Sequence, residues 1–300
     1  MSVACIIVSF HPQQSVLRAL LDAIMAQVDL CVVVDNGSGP AIESMVEPYA
    51  GLHLRLLRLP DNQGIGVALN QGIELAIDNG VDHVLLMDQD SLPSPTMVAE
   101  LLTVRKQLQA ADVRVAAVGP RLLDRSSGRT LGFVRFGILR NHRVSCKPAQ
   151  RSVETDFLMT SGSLIPVASL RELGLMDATL FIDHVDTEWL LRARAQGFRT
   201  FGACRATLQH DVGEFRVELP AIGVRAAPIH REFRYFYVFR NSVLLYRRSY
   251  VPWKWVVLDI FRLLRIMGFM LLMHPKRWHS LRMMFKGMAA GVLGRGGPLS

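Results

Sequence analysis

The sequence predicts an α/β fold, with a mostly parallel central sheet flanked by helices and a helical extension at the C-terminus. Three observations predict it. Short aliphatic runs alternate with helical patterns through the first hundred residues, as successive β–α units do. Three of those runs end on a polar residue, Ser9, Asp35 and Asp88, and ligands in such sheets bind beyond the carboxyl ends of the strands. After residue 230 the pattern becomes helical and basic throughout.

Val3–Ser9 is apolar from its first residues and rich in β-branched side chains, so it reads as a buried strand. It lacks the basic lead-in and cleavage site of a signal peptide, and none is expected. Residues 13–27 place Val16, Leu20 and Ile24 at helical spacing, with Val28 continuing it. Residues 30–34 form a second apolar run, closed by the turn sequence Asp35-Asn36-Gly37-Ser38. Residues 53–59 alternate as a strand, and 64–79 form a helix that opens on small residues. Residues 83–87 are another buried strand, running straight into Asp88-Gln89-Asp90. Ser94-Pro95 reads as the next helix start, with Ser94 as cap. Shorter strands and glycine turns occupy 115–165, and Val167–Leu173 is a short helix. A helix over 186–196 closes at Gly197, and 198–209 reads as two short strands leading to His210.

Half of the residues are hydrophobic and 20% are charged, which excludes a disordered chain. Cys5, Cys31, Cys146 and Cys204 are scattered without a Cys-x-x-Cys pair. They are expected to be reduced, buried thiols of a cytosolic protein, not a disulfide framework or a zinc site. The net charge of +8 belongs to the C-terminal part: residues 231–300 carry 13 Lys and Arg against Glu232 and Asp259. Residues 256–273 are very apolar, but the longest uncharged run, 266–273, is far below the ~20 residues needed to cross a bilayer. A helical projection puts Lys254, Asp259, Arg262 and Arg265 on one face. Val256, Ile260, Leu263, Leu264 and Met267 fall on the other. With Trp253, Trp255 and Phe261, this reads as a helix lying in a membrane interface. The same pattern also suits a helix packed on the protein's own core.

Two carboxylates one residue apart at a strand end, Asp88 and Asp90, can approach one divalent cation, and oxygen ligands suit Mg²⁺ or Mn²⁺. A solvated turn is the plainer alternative. Asp35 can accept hydrogen bonds from a nucleobase or ribose, or simply form the turn before Gly37. A nicotinamide-binding fold also places an acid there, but it needs a glycine-rich turn after its first strand, and 9–15 contains no glycine. Gly64, Gly66 and Asn70 lie at a helix start that favours anions, although helix–sheet packing alone can explain the glycines.

Together, the run ending Ser9-Phe10, Asp35-Asn36-Gly37-Ser38, Asn62-x-Gly64-x-Gly66-x-Ala68-x-Asn70-x-Gly72 and Met87-Asp88-Gln89-Asp90 resemble family 2 glycosyltransferases of the GT-A fold. Within that family they are most similar to bacterial rhamnosyltransferases that use dTDP-rhamnose. The resemblance continues through Ser161-Gly162-Ser163, Phe181 to Trp189, His210-Asp211-Val212-Gly213 and Arg234 to Asn241. It implies a Rossmann-like transferase domain over 1–230 and a basic amphipathic extension over 231–300. Ser9, Asp35, Gly64, Asn70, Asp88 and Gln89 would bind the nucleotide. Asp88, Asp90 and His210 would hold Mg²⁺ or Mn²⁺, with Asp90 the firmer ligand and Asp88 shared with the nucleotide. Many members carry the catalytic base in a Glu-Asp pair. Here that pair reads Val185-Asp186, which makes Asp186 the base and leaves Asp183 as a competing carboxylate. Asp186 as a helix cap, and His210 as a structural residue, are the plainer alternatives. The motif of processive synthases, Gln-x-x-Arg-Trp, is absent, so single transfers are expected.

The resemblance thus implies an inverting, metal-dependent transfer from a nucleotide-diphosphate sugar to a saccharide or lipid-linked acceptor in bacterial cell-surface polysaccharide synthesis. UDP-glucose and UDP-galactofuranose are the alternative donors, and a membrane-docked nucleotide-binding protein without catalysis is the alternative class. The expected setting is the inner face of the cell membrane, reached through the C-terminal helices. Nucleic acid is not an expected partner, and self-association into a homo-oligomer is left open.

Overall fold

The computed structural model describes residues 1–125, 128–137, 140–210, 215–219, 224–229, 231–273 and 276–299. The first half contains β1 (Val3–Ser9), α1 (Gln14–Ile24), β2 (Leu30–Asp35), α2 (Ala41–Val46), β3 (Leu54–Arg58), α3 (Ile65–Asp78), β4 (His83–Asp88), β5 (Leu92–Pro93), α4 (Met97–Ala110) and β6 (Val115–Asp124). Then come β7 (Thr130–Leu131), β8 (Phe133–Arg135), β9 (His142–Val144), β10 (Ser152–Thr155), β11 (Ser163–Pro166), α5 (Val167–Leu173), α6 (Val185–Ala195) and β12 (Arg199–His210). The chain closes with β13 (Phe215–Leu219), β14 (Val224–Ile229), α7 (Glu232–Tyr246), α8 (Trp253–Met273) and α9 (Arg277–Val292).

The main sheet runs β10-β12-β6-β11-β4-β1-β2-β3. Strands β1 to β4 are mutually parallel, β11 lies antiparallel between β4 and β6, and β12 runs parallel to β6. Alternation along β1 explains the layering. Val3, Cys5 and Ile7 point into one core with α1, α2 and α4, while Ala4 and Ile6 point into the other with α3, α5 and α6. Both faces are covered, so the strand is apolar at every position before Ser9, as parallel strands under helices are.

Four details depart from the sequence reading. First, Ser94 does not cap a helix: α4 starts at Met97 with Thr96 before it. The short strand β5 pairs with β12, and the Ser94 N–H donates to Thr207 O at 3.0 Å, which holds this stretch extended. Second, 198–209 is one strand, β12, and not two; a register shift between Ala203 and Thr207 absorbs its irregularity. The strand pair β13–β14 lies in a stretch to which the sequence reading assigned no element.

Third, Cys146 and Cys204 are joined in a disulfide, whereas Cys5 and Cys31 are free and buried. The expectation of four reduced thiols therefore fails for two of them. Folding lays β10 beside β12, with β8 beside β10 and β9 paired to β8, so cysteines 58 residues apart in sequence meet. Spacing alone carries no sign of that meeting. Fourth, α8 does not turn all its charges outward. Asp259 is buried, and its carboxylate accepts from Arg262 Nε at 2.6 Å and Tyr246 OH at 2.7 Å. A buried carboxylate needs partners, and α7 supplies one. Lys254 and Arg265 remain exposed, now beside exposed Trp253, Ile260, Phe261 and Leu264. Trp255, Leu263 and Met270 face inward. Among the described residues, no helix is long and apolar enough to cross a membrane.

Candidate active site

Register places the polar strand ends together. Ser9 lies opposite Asp35 across β1–β2, and Val8 lies opposite Asp88 across β1–β4. Beyond Asp88 the chain turns and forms β5, whose Leu92 and Pro93 pair with Gln209 and Leu208 of β12. That pairing carries Asp90 and Ser91 to His210. Ligand atoms of Asp88, Asp90 and His210 all lie within 4.8 Å of one another. His210 Nδ1 is 4.0 Å from Asp90 Oδ1.

A hydrogen-bonded chain supports the cluster from behind. The Asp88 N–H donates to Ser161 Oγ at 3.1 Å, and Ser161 Oγ–H donates to Ser91 Oγ at 2.8 Å. Ser91 Oγ lies 2.8 Å from His210 Nδ1. A bond at Nδ1 fixes the imidazole's orientation beside the acidic turn. Burial raises the Asp88 carboxyl to about 6; His210 opposes the shift, while Asp90 and Asp186 add to it. Two carboxylates and an imidazole crowded this closely match the donor set of a divalent cation, whose charge would relieve the carboxylate repulsion.

Asp186 occupies the first turn of α6. Its Oδ1 accepts from the Thr187 N–H at 2.6 Å and Thr187 Oγ1 at 3.2 Å. Leu86, Ala117, Leu158 and Trp189 line an apolar pocket against it. Burial accordingly raises its carboxyl to about 6, against the opposing bonds from Thr187 and Thr160. At neutral pH it is ionised. It is not the helix cap; His184 holds that position. Asp183 is engaged elsewhere, by Arg234 Nη2 at 2.7 Å and Nε at 3.3 Å.

Of the remaining expected residues, Asp35, Gln89 and Asn70 have side-chain hydrogen-bond partners within the chain. Both Asp35 oxygens lie 3.1–3.2 Å from the Ser38 N–H, in a buried turn. Gln89 accepts from the Phe10 N–H at 2.7 Å and so ties the end of β1 to the acidic turn. Ser9 Oγ is fully buried and has no hydrogen-bond partner among the described residues. Gly64, at φ +87°, packs on Phe181: a Cβ there would lie 2.6 Å from the Phe181 carbonyl oxygen. The Asn70 amide exchanges two 2.9 Å bonds with the Met176 backbone. Gly64 and Asn70 therefore hold the segment before α6. Asp211, Val212 and Gly213, part of the resemblance, lie outside the described residues.

Sequence reasoning gave no role to Ser91, Ser161 or Arg234. Ser91 directly follows the acidic turn, and the other two stand in stretches that carried the resemblance. Their roles become visible only through contacts between distant segments.

A GT-A sheet with this cluster at its carboxyl edge defines a sugar-transferring enzyme. The chain belongs to the glycosyltransferase-like family 2, whose model matches residues 2–222. It is 27% identical over 253 residues to the dTDP-rhamnosyl transferase RfbF of Shigella flexneri, covering 84% of this chain and 82% of that one. Among solved structures, S. aureus TarS 1-349 in complex with UDP-GlcNAc matches with TM-score 0.59 at 14% identity, over 98% of this chain and 93% of that one. GalNAc-T7 with UDP, GalNAc and Mn²⁺ matches with TM-score 0.57 at 14% identity, over 71% of this chain and 44% of that one. At such identity the structural likenesses concern the fold. The chain is a glycosyltransferase, similar to rhamnosyltransferases.

Proposed function

We propose that this chain is an inverting, metal-dependent transferase that moves L-rhamnose from dTDP-rhamnose to a hydroxyl of a saccharide or lipid-linked acceptor. The observation that carries the reading is the convergence of Asp88, Asp90 and His210 at one sheet edge, within electrostatic reach of a half-buried Asp186. The likeness to a dTDP-rhamnosyl transferase supports the donor.

Asp88, Asp90 and His210 would hold Mg²⁺ or Mn²⁺, and the imidazole favours Mn²⁺. When bound, the ion supplies Lewis-acid stabilisation of the charge that develops on the leaving diphosphate. Ser91 and Ser161 orient His210 and the Asp88 backbone. Asp186, ionised above about pH 6, accepts the proton of the attacking acceptor hydroxyl. Attack from the face opposite the diphosphate inverts the anomeric carbon. Asp183, already bonded to Arg234, is the weaker candidate for the base.

Residues 1–230 would form the transferase domain, and 231–300 would dock on the inner face of the cell membrane. The support for docking is the outer face of α8, where Trp253, Phe261, Leu264 and Leu272 are exposed near Lys254 and Arg265. The deciding experiment is a panel of dTDP-rhamnose, UDP-glucose and UDP-galactofuranose with Mn²⁺ or Mg²⁺, read by nucleotide diphosphate release. Release from dTDP-rhamnose alone supports the donor; release from a UDP-sugar alone replaces it. Nucleotide binding without release from any donor would favour the non-catalytic class.

A further inference from the structure

The turn leading into α6 has an unusual backbone. Phe181, Asp183 and His184 all have φ near +64°, a region that L side chains rarely adopt. Three such residues within four positions do not persist on local preference; the surroundings must impose them. Asp186 follows two residues later, so the geometry of this turn decides where its carboxylate sits.

The surroundings that impose it come from the C-terminal helices. Asn241 of α7 is fully buried, and its Nδ2 lies 2.9 Å from Leu180 O, 2.8 Å from Ile182 O and 2.9 Å from Asp183 O. Its Oδ1 accepts from Arg240 Nε at 2.9 Å, which fixes the amide's orientation, and Arg240 Nη2 donates to Leu180 O at 2.8 Å. At the next position of α7, Ser242 Oγ lies 3.1 Å from His184 Nε2. Arg262 Nη2 of α8 lies 3.0 Å from the same nitrogen, and Arg262 is itself held by Asp259. Arg234, at the start of α7, holds Asp183. Successive carbonyls and side chains of the turn are thus gripped by residues more than fifty positions away.

We propose that Asn241 is a positioning residue: by binding the carbonyls of Leu180, Ile182 and Asp183 with one amide, it holds the left-handed turn that delivers Asp186 to the acceptor. The C-terminal helices then complete the active site as well as docking it. Asparagine suits this task. A carboxylate in its place would meet three carbonyl oxygens, and an isosteric apolar group would leave buried acceptors without donors. The inference rests on Asp186 as the base.

Asn241→Leu tests it, with Tyr49→Phe as control. Tyr49 donates to Asp22 at 2.5 Å within the core on the opposite side of the sheet. Asn241→Leu is expected to lower kcat about 100-fold, the scale of an ångström-level misplacement. The donor KM, and the affinity for Mn²⁺ with the nucleotide diphosphate, should stay unchanged. The donor is whichever sugar nucleotide the wild-type chain turns over. Hydrogen exchange should accelerate in amides 177–188 and stay unchanged in β1 and α1. Wild-type kcat in Asn241→Leu, an equal loss in Tyr49→Phe, or a loss of donor affinity as large as the loss of kcat would overturn the proposal. If Asn241→Leu does not fold, Arg262→Gln decides: a fall in kcat at constant donor KM with faster exchange at 177–188 supports the clamp, and no change in either overturns it. If Asp186→Asn keeps full activity, the base assignment fails separately, because the exchange measurement requires no turnover.

Discussion

The two halves of this active site are built by different means. The candidate metal-binding edge is assembled by strand register: Asp88 ends β4, Asp90 and Ser91 follow it, and the β5–β12 pairing brings them to His210. The turn carrying Asp186 is assembled by side chains of α7 and α8, which bind its backbone from outside the sheet. Backbone pairing tolerates changes of side chain, because the hydrogen bonds belong to every residue alike. A clamp made by one buried amide does not. The two halves should therefore fail differently when perturbed.

Substitution of the proposed base tests the second half most severely. Asp186→Asn should lower transfer by ~10²–10⁴-fold, the usual worth of a general base, with nucleotide binding retained in calorimetry. Transfer at the wild-type rate would remove Asp186 from that role and turn attention to Asp183. Next in size is the support of the metal edge. Ser91→Ala removes the partner of His210 Nδ1 and should weaken Mn²⁺ binding by ~10-fold or more, as loss of such supporting bonds does. The fold should survive, because β5 pairs through backbone atoms. An unchanged Mn²⁺ titration would mean that Ser91 does not orient the imidazole.

Acidification comes third. The Asp186 carboxyl is raised to about 6, so it gains a proton, and loses its capacity as a base, as pH falls through that value. With saturating Mn²⁺, kcat/KM should fall about tenfold per pH unit below 6. A plateau extending to pH 4.5 would contradict an Asp186 base with this raised carboxyl. The smallest effect on chemistry is expected at the outer face of α8. Phe261→Glu with Leu264→Glu should reduce binding to anionic vesicles several-fold while leaving turnover of a soluble acceptor intact. Unchanged flotation would place the docking surface elsewhere.

The strand ends were legible in the sequence because both the buried run and the polar stop are local. The runs before Ser9, Asp35 and Asp88 show where each strand stops, and the acidic turn after β4 follows at once. Ser94 was misread because helix-start chemistry is local too, whereas the pairing of β5 with β12 that overrides it spans more than a hundred residues. Gly64 and Asn70, expected to bind the nucleotide, also have neighbours within the chain. Small residues at a helix start serve an anion or a packed neighbour equally well, and here Phe181 and Met176 are the neighbours.

The C-terminal helices show the same division. Their helical period and basic charge are written in the sequence, but the orientation of α8 is not. Projection grouped Asp259 and Arg262 with the solvent-facing charges. The structure buries Asp259 and leaves Arg262 half-buried, because Tyr246 and His184 offer them hydrogen bonds, and a satisfied carboxylate can be buried where an unsatisfied one cannot. The outer face is correspondingly more apolar than projection suggests.

By itself the sequence determined the α/β class, the parallel strand ends, the family and the acidic turn, since each depends on residue type and short spacing. The tertiary structure decided which of Asp183 and Asp186 is left unpaired by arginine, which two cysteines meet, and how the left-handed turn before α6 is held. Those outcomes depend on groups brought together from distant positions, where geometry selects among partners that composition leaves equivalent.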